Sequence, residues 1–193
     1  MSVIASLSVS LDGFYTGPSP TKAQPMGVGG EILHGWFAHD VADRNQLTAD
    51  DVLRPEFERM GAMVMGRDSY EHAEELWGER PPFEVPIFVL THRTQDDDVR
   101  DGTTFFFRNE IMDDALERAK QGAAGKDVAL HGGGAIQQGI RRGLLDELQL
   151  HVVPVLLGDG RNLFDDVVSQ PTQMEIMRVI EGPGVTHLKY RLG

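Results

Sequence analysis

The sequence contains no cysteine. It can therefore form no disulfide, present no thiolate nucleophile and hold no zinc through sulfur, which excludes the zinc nucleobase deaminase signature. Positive charge is also scarce, with 18 Lys and Arg against 30 Asp and Glu and a formal net charge of −12. A field of that sign repels nucleic acid backbones and anionic lipid at long range, so neither nucleic acid nor a membrane is expected as a partner. Long apolar runs are missing as well. No stretch of about 18 apolar residues occurs, and Met1-Ser2-Val3-Ile4-Ala5-Ser6-Leu7 lacks a basic leader, so cytoplasmic residence is the expectation. There are no repeats and no low-complexity segments.

What is present is the composition of an ordinary soluble protein, 40% hydrophobic and 25% charged over 193 residues. That length suits one domain, residues 1–193, with a real core. Because the overall field opposes anions, an anionic ligand would need a local cluster of basic side chains and backbone N–H groups.

Val3 to Leu11 reads as a buried strand that enters Asp12-Gly13 and then a long loop from Gly17 to Gly30 with four Gly and three Pro. Loops of that length are functional covers or plain surface loops; here the expectation is a mobile cover beside a site. A short helix begins at Glu31, and Thr48 is a candidate N-cap for a helix ending before Gly61. Three strand-turn-helix units follow. Val64-Met65 turns through Gly66-Arg67 into a helix from Asp68 to about Trp77. Val85–Leu90 ends at Thr91-His92-Arg93, and Thr103–Phe107 precedes a helix from Glu110 to Gln121. Val128–Leu130 leads through His131 and Gly132-Gly133-Gly134 into a helix with an apolar stripe at Ile136, Ile140 and Leu144. From Leu148 the pattern changes to alternation, with Leu148, Leu150 and Val152 on one side and Gln149 and His151 on the other, and Pro154 suits an edge or a bulge. Met174–Ile180 and Val185–Leu192 complete a C-terminal hairpin. The fold class is α/β, a mixed, mostly parallel sheet covered by helices and ending in an antiparallel hairpin.

The triglycine follows a strand and opens an amphipathic helix, where unpaired N–H groups and the positive end of the helix dipole can receive a phosphate. A close strand-helix turn without a ligand is the alternative. Gly66-Arg67, with Ser69, and Thr91-His92-Arg93 lie at comparable turns. Two Arg, a His and two hydroxyls suit the additional phosphate of NADP better than the diol of NAD. Asp12, at the end of the first strand, is a candidate proton source or a turn-forming residue. Trp36 is given a place beside a substrate pocket, while Phe37 and Trp77 read as core. His34 and His39 lack a third ligand at defined spacing, so no metal is expected. Asp96-Asp97-Asp98 reads as a solvated turn.

Val64-Met65-Gly66-Arg67-Asp68-Ser69-Tyr70-Glu71 resembles the dihydrofolate reductase segment Met-Gly-Arg-x-Thr-aromatic-Glu. Val89-Leu90-Thr91-His92-Arg93 is similar to the adenosine-phosphate loop of that superfamily, and Ser10-Leu11-Asp12-Gly13 to its first strand and nicotinamide-covering loop. Leu144-Leu145-Asp146-Glu147-Leu148, with Pro154-Val155-Leu156-Leu157-Gly158-Asp159-Gly160, is similar to the reductase domain of bacterial riboflavin biosynthesis. The resemblance runs from about Val3 to Leu192. It implies a dihydrofolate reductase-like three-layer fold with helices on both faces, and NADPH as cofactor. It places Gly132, Gly133, Gly134, Ala135 and Ile136 on the diphosphate and nicotinamide side, and Gly66, Arg67, Ser69, Thr91, His92 and Arg93 on the adenosine and phosphate side. Asp68 departs from the pattern, as does Leu33, which stands where the pterin-binding acid would fall. The function implied is a stand-alone reductase of a small heterocycle or ribosylamino-pyrimidine. A reductase of another substrate and a non-catalytic NADP-binding module are the alternatives. Homodimerisation through the final strands is also implied.

Overall fold

The computed structural model describes residues 1–38, 49–93 and 95–193; Thr48 and His39 lie outside them. In chain order the elements are β1 (Val3–Ser10), β2 (Phe14–Thr16), a 3₁₀ helix (Gly30–Ala38), α1 (Ala49–Arg59), β3 (Met60–Gly66) and α2 (Arg67–Trp77). There follow β4 (Ile87–Leu90), β5 (Asp98–Arg100), β6 (Thr103–Arg108), α3 (Met112–Gly122), β7 (Asp127–His131) and α4 (Gly133–Arg141). The chain ends with β8 (Glu147–Val153), β9 (Arg161–Asn162), β10 (Met174–Gly182) and β11 (Val185–Leu192). It divides into two compact units, Met1–Ala5 with Arg59–Leu145, and Ser6–Glu58 with Asp146–Gly193, and β1 contributes to both. No helix among the described residues is long and apolar enough to cross a membrane.

In the first unit, β1, β7, β3, β4 and β6 run parallel in that order and β5 closes the edge antiparallel to β6. Alternate residues of the central strands face opposite sides, and both sides are apolar. Met63, Met65, Ile87, Val89, Phe105 and Phe107 form one cluster with Tyr70 of α2, while Ala62, Val64 and Phe88 are buried as well. A strand covered on both faces needs such a near-continuous apolar run. Helix α3 buries Met112, Ala115, Leu116 and Ala119, at helical spacing. Helix α4 ends at Arg141, so Leu144 lies beyond it, and the residues it buries are Gly133, Ala135, Ile136 and Gly139.

The acidic run is exposed at Asp96 and Asp97, but the carboxylates of Asp97 and Asp98 are paired. Asp97 accepts two hydrogen bonds from the Arg108 guanidinium, which holds its carboxyl below the usual range. Asp98 opens β5 and accepts from Tyr70 Oη at 2.9 Å and Arg100 Nε at 2.8 Å. Arg100 Nη1 then donates to the carbonyls of Glu74 and Gly78, satisfying the C-terminal end of α2.

In the second unit β10, β11 and β8 are antiparallel, β8 neighbours β1, and β2 pairs with β9. The alternation in β8 is present, but both of its faces are covered: Gln149 and His151 are as buried as Leu148 and Leu150. The loop expected as a mobile cover is closed on itself by backbone hydrogen bonds. Gly17 N–H donates to Met26 O at 2.8 Å, Val28 N–H to Pro18 O at 2.9 Å, and Thr21 and Gln24 bond each other's backbone. A Cβ on Gly17 would strike the Val28 carbonyl and one on Gly27 the Gly17 carbonyl, so two glycines let the loop close on itself.

Candidate functional site

Register brings three turns to one edge of the first unit. Met65 is aligned with His131 across β3 and β7, and Gly66 with Leu90 across β3 and β4. The strands are parallel, so Gly66-Arg67, Thr91-His92-Arg93 and Gly132-Gly133-Gly134 all leave from the C-terminal end, where open α/β sheets bind ligands.

Each turn has a physical reason for its residues. Gly132 adopts φ 84° at the N-cap of α4, a conformation that favours glycine, and a Cβ there would collide with Ser69 Oγ of α2. Ser69 therefore packs against the glycine turn. The amides of Ala135 and Ile136 both close on the Gly132 carbonyl at 3.1 Å, and no side chain caps the helix. Gly133 and Gly134 stand at its head, where backbone N–H groups lack intrahelical acceptors. The side chains of Ala135 and Ile136 belong to the core, so only their backbones can take part in a site. At Gly134 and Gly66, by contrast, an added Cβ would meet nothing within 4 Å. Neither glycine is demanded by a protein neighbour, and both leave open space beside the turns.

Arg67 begins α2. Its Nε donates to Glu71 Oε1 at 2.7 Å, its guanidinium lies 5.2 Å from the Phe107 ring centroid, and its Nη1 is buried with no hydrogen-bond partner. A buried unpaired guanidinium N–H is costly unless a ligand completes it. Arg93 Nη1 reaches the same Glu71 oxygen at 3.1 Å. Thr91, buried, accepts the Arg93 N–H at 3.0 Å, which shapes the turn. His92 is exposed and bonded to Asn109 Oδ1. Asp68 is exposed in the first turn of α2, where a carboxylate complements the helix dipole. Glu71 was not singled out as a site residue from sequence, although its i,i+4 spacing from Arg67 was a readable signal. His131, beside the triglycine, is half-buried between Trp77 and Phe83 with its Nδ1 shielded from solvent, and burial pushes its pKa down to about 4.

Asp12 and Trp36 belong to the second unit. The Asp12 carboxylate accepts Ser10 Oγ–H at 2.5 Å, Leu157 N–H at 3.1 Å and Gly158 N–H at 2.8 Å. The Ser10 bond, then the two amides, hold its pKa below the ordinary value, so at neutral pH the carboxylate is ionised and ties two loops together. Trp36 is only 5% exposed. Its Nε1 donates to Ser8 Oγ at 3.1 Å and its ring lies 4.8 Å from His151 and 4.9 Å from His187. It is a wall within an apolar cluster with Leu33, Val153 and Val185, not an open stacking surface. His34, read as a surface residue, is half-buried with an unpartnered Nδ1, and burial lowers its pKa. Among the described residues no three His, Cys, Asp or Glu are grouped to hold a metal.

The family described as the RibD C-terminal domain matches residues 1–188. The chain belongs to this family. The chain is also similar to the uncharacterized protein YyaP of Bacillus subtilis strain 168, 30% identical over 180 residues, covering 86% of this chain and 81% of YyaP. Among solved structures, the chain is similar throughout to a putative riboflavin biosynthesis protein from Shewanella sp. PV-4, with TM-score 0.76, 22% identity and 99% of that chain covered. It is also similar to a deaminase/5-amino-6-(5-phosphoribosylamino)uracil reductase from Thermotoga maritima, with TM-score 0.63 and 10% identity. This RibD C-terminal domain spans 56% of that bifunctional chain. The structural likenesses show the fold, a mostly parallel mixed sheet with helices and a C-terminal antiparallel hairpin.

Proposed function

We propose that the protein is an NADPH-dependent reductase acting, as one functional domain over residues 1–193, on a small heterocyclic substrate of the ribosylamino-pyrimidine class. The observation that carries the reading is the buried, unpartnered Nη1 of Arg67 at the same sheet edge as the uncapped head of α4, with open space at Gly66 and Gly134. An orphaned guanidinium N–H and a free helix head are two anion sites, and a phosphorylated dinucleotide carries anions at both of its ends.

In this reading the Gly133 and Gly134 amides hold the diphosphate, with Gly132 setting the turn and the backbones of Ala135 and Ile136 flanking the nicotinamide side. Arg67 and Arg93 take the 2′-phosphate, Ser69 supports the glycine turn, and Gly66, Thr91 and His92 border the adenosine. NADPH, when bound, supplies the hydride. Asp12 orders the loops on the substrate side, and Trp36 backs that side from within its core. The substrate class follows the Thermotoga maritima relative's description as a phosphoribosylaminouracil reductase. Cytoplasmic residence and a homodimer are part of the proposal. In support of the dimer, β10 is an edge strand exposing Ile176 at 66% and Val179 at 59%. Conversion to a monomer by Val179→Glu in light scattering would support that surface, and an unchanged mass would remove it.

Titration of the purified protein with NADPH and NADH tests the cofactor. Undetectable NADPH binding, or equal affinity for both, overturns the reading. A second reading is a module that binds NADP without catalysis, favoured by the ionised state of Asp12, which leaves that residue no proton to give. Turnover of ribosylamino-pyrimidines by the NADPH-bound protein separates the two.

A further inference from the structure

Glu71 is the meeting point of the two guanidiniums. One oxygen, Oε1, accepts from Arg67 Nε at 2.7 Å and from Arg93 Nη1 at 3.1 Å. The two arginines come from different elements, Arg67 from the first turn of α2 and Arg93 from the loop after β4. Arg67 is also held by the ring of Phe107 and that of Tyr70, 5.2 and 5.7 Å away. Arg93 has no comparable support, since its side chain is 74% exposed.

We infer that Glu71 is a positioning residue that makes the site selective for a phosphate monoester over a ribose diol, by holding Arg93 beside Arg67. The inference rests on the NADPH reading above. By engaging Arg67 through Nε, Glu71 leaves the terminal nitrogens of that guanidinium to a ligand, and Nη1 is indeed unpartnered. By engaging Arg93 it restricts a long side chain that would otherwise sample many rotamers before binding. Two guanidiniums around one carboxylate keep one net positive charge, which suits an added phosphate and gives an uncharged diol no advantage. Glu71 itself lies on α2 at i+4 from Arg67, so the helix fixes its distance from the first arginine.

The test is calorimetric titration of NADP⁺ and NAD⁺ into the full chain and its variants. Glu71→Ala should weaken NADP⁺ about tenfold while NAD⁺ stays within about twofold, and Glu71→Gln, which keeps the acceptor oxygen, should recover most of the loss. An unchanged NADP⁺/NAD⁺ ratio in Glu71→Ala, tighter NADP⁺ binding, or an equal loss for both dinucleotides overturns the positioning role. Arg93→Met cuts the same contact from the exposed side and must also lower the NADP⁺ preference; if Glu71→Ala does not fold, an unchanged preference in Arg93→Met overturns the role on its own. Wild-type protein that binds both dinucleotides equally overturns the NADPH reading, and this inference with it. A wild-type preference that survives both substitutions overturns this inference alone.

Discussion

His151 and His187 are cross-strand partners in β8 and β11, with their Nδ1 atoms 2.7 Å apart and buried against Trp36. One ring must donate and the other accept, because two protonated Nδ1 atoms would direct two N–H groups at each other. Ser6 Oγ, 2.8 Å from His151 Nε2, extends the chain of hydrogen bonds. That contact excludes two imidazoliums, and burial favours the neutral form of both rings. Burial, reinforced by His187, His34 and Arg178, lowers the pKa of His151 to about 3, and burial lowers that of His187.

Acid lability follows, with a definite sign. The folded pKa values of His151 and His131 lie below the unfolded value, about 6.5, so the unfolded chain binds protons first as pH falls. Stability should be constant above that value and decline below it, by up to about 1.4 kcal/mol per pH unit for each such histidine. The decline should continue toward about 4 for His131 and about 3 for His151. Urea unfolding at pH 7.5 and at pH 5 measures it; equal midpoints would show that these imidazoles are not buried as described.

Arg67→Ala should weaken NADPH by about 1.5 to 3 kcal/mol and NADH much less, since it removes a charge-assisted contact available only to the 2′-phosphate. Fluorescence titration with both cofactors reads the difference. Equal losses would take Arg67 out of the phosphate site.

Gly134→Val separates the ligand's need for a glycine from the fold's. A Cβ at this position meets no protein atom within 4 Å, so the variant should keep its secondary structure and melt near the wild-type temperature. It should nevertheless lose NADPH and NADH together, because a branched side chain would stand where the diphosphate approaches the head of α4. Wild-type affinity would place the diphosphate elsewhere.

Asp12→Ala should lower the melting temperature by releasing the amides of Leu157 and Gly158 and the hydroxyl of Ser10, with NADPH affinity unchanged. Asp12→Asn, which keeps acceptor oxygen at one position only, should fall between. If turnover of a pyrimidine substrate is found, its pH profile in Asp12→Asn decides whether the carboxylate also handles a proton. A profile identical in shape to the wild type assigns Asp12 to loop architecture alone.

The strand-turn-helix units were legible because their cues are local. An apolar β-rich run, a glycine and then helical spacing lie within a dozen residues of one another, as at Val64-Met65-Gly66-Arg67 and at His131-Gly132-Gly133-Gly134. The parallel arrangement of those units followed from the same cues, and with it the placing of three turns at one edge. The partners of single side chains were not legible. Asp97 and Asp98 read as part of a solvated acidic turn, yet Asp97 is paired with Arg108 of β6 and Asp98 accepts from Tyr70 of α2 as well as from Arg100. The segment from Gly17 to Gly30 was legible as a loop because Gly and Pro mark a break in regular structure, but they do not say what the backbone bonds afterwards.

Residue type and spacing were enough to dictate where the chain turns, that the parallel strands are apolar on both faces and where glycine opens a helix, since each depends on a few consecutive residues. Whether Arg67 keeps an unsatisfied N–H, whether Asp12 holds or lacks a proton, and whether the polar side of β8 meets water or His187 depended on groups many residues away, brought close only by folding. Hydrogen bonding and desolvation act over a few ångströms of space and are indifferent to separation along the chain, and for that reason they became readable only in three dimensions.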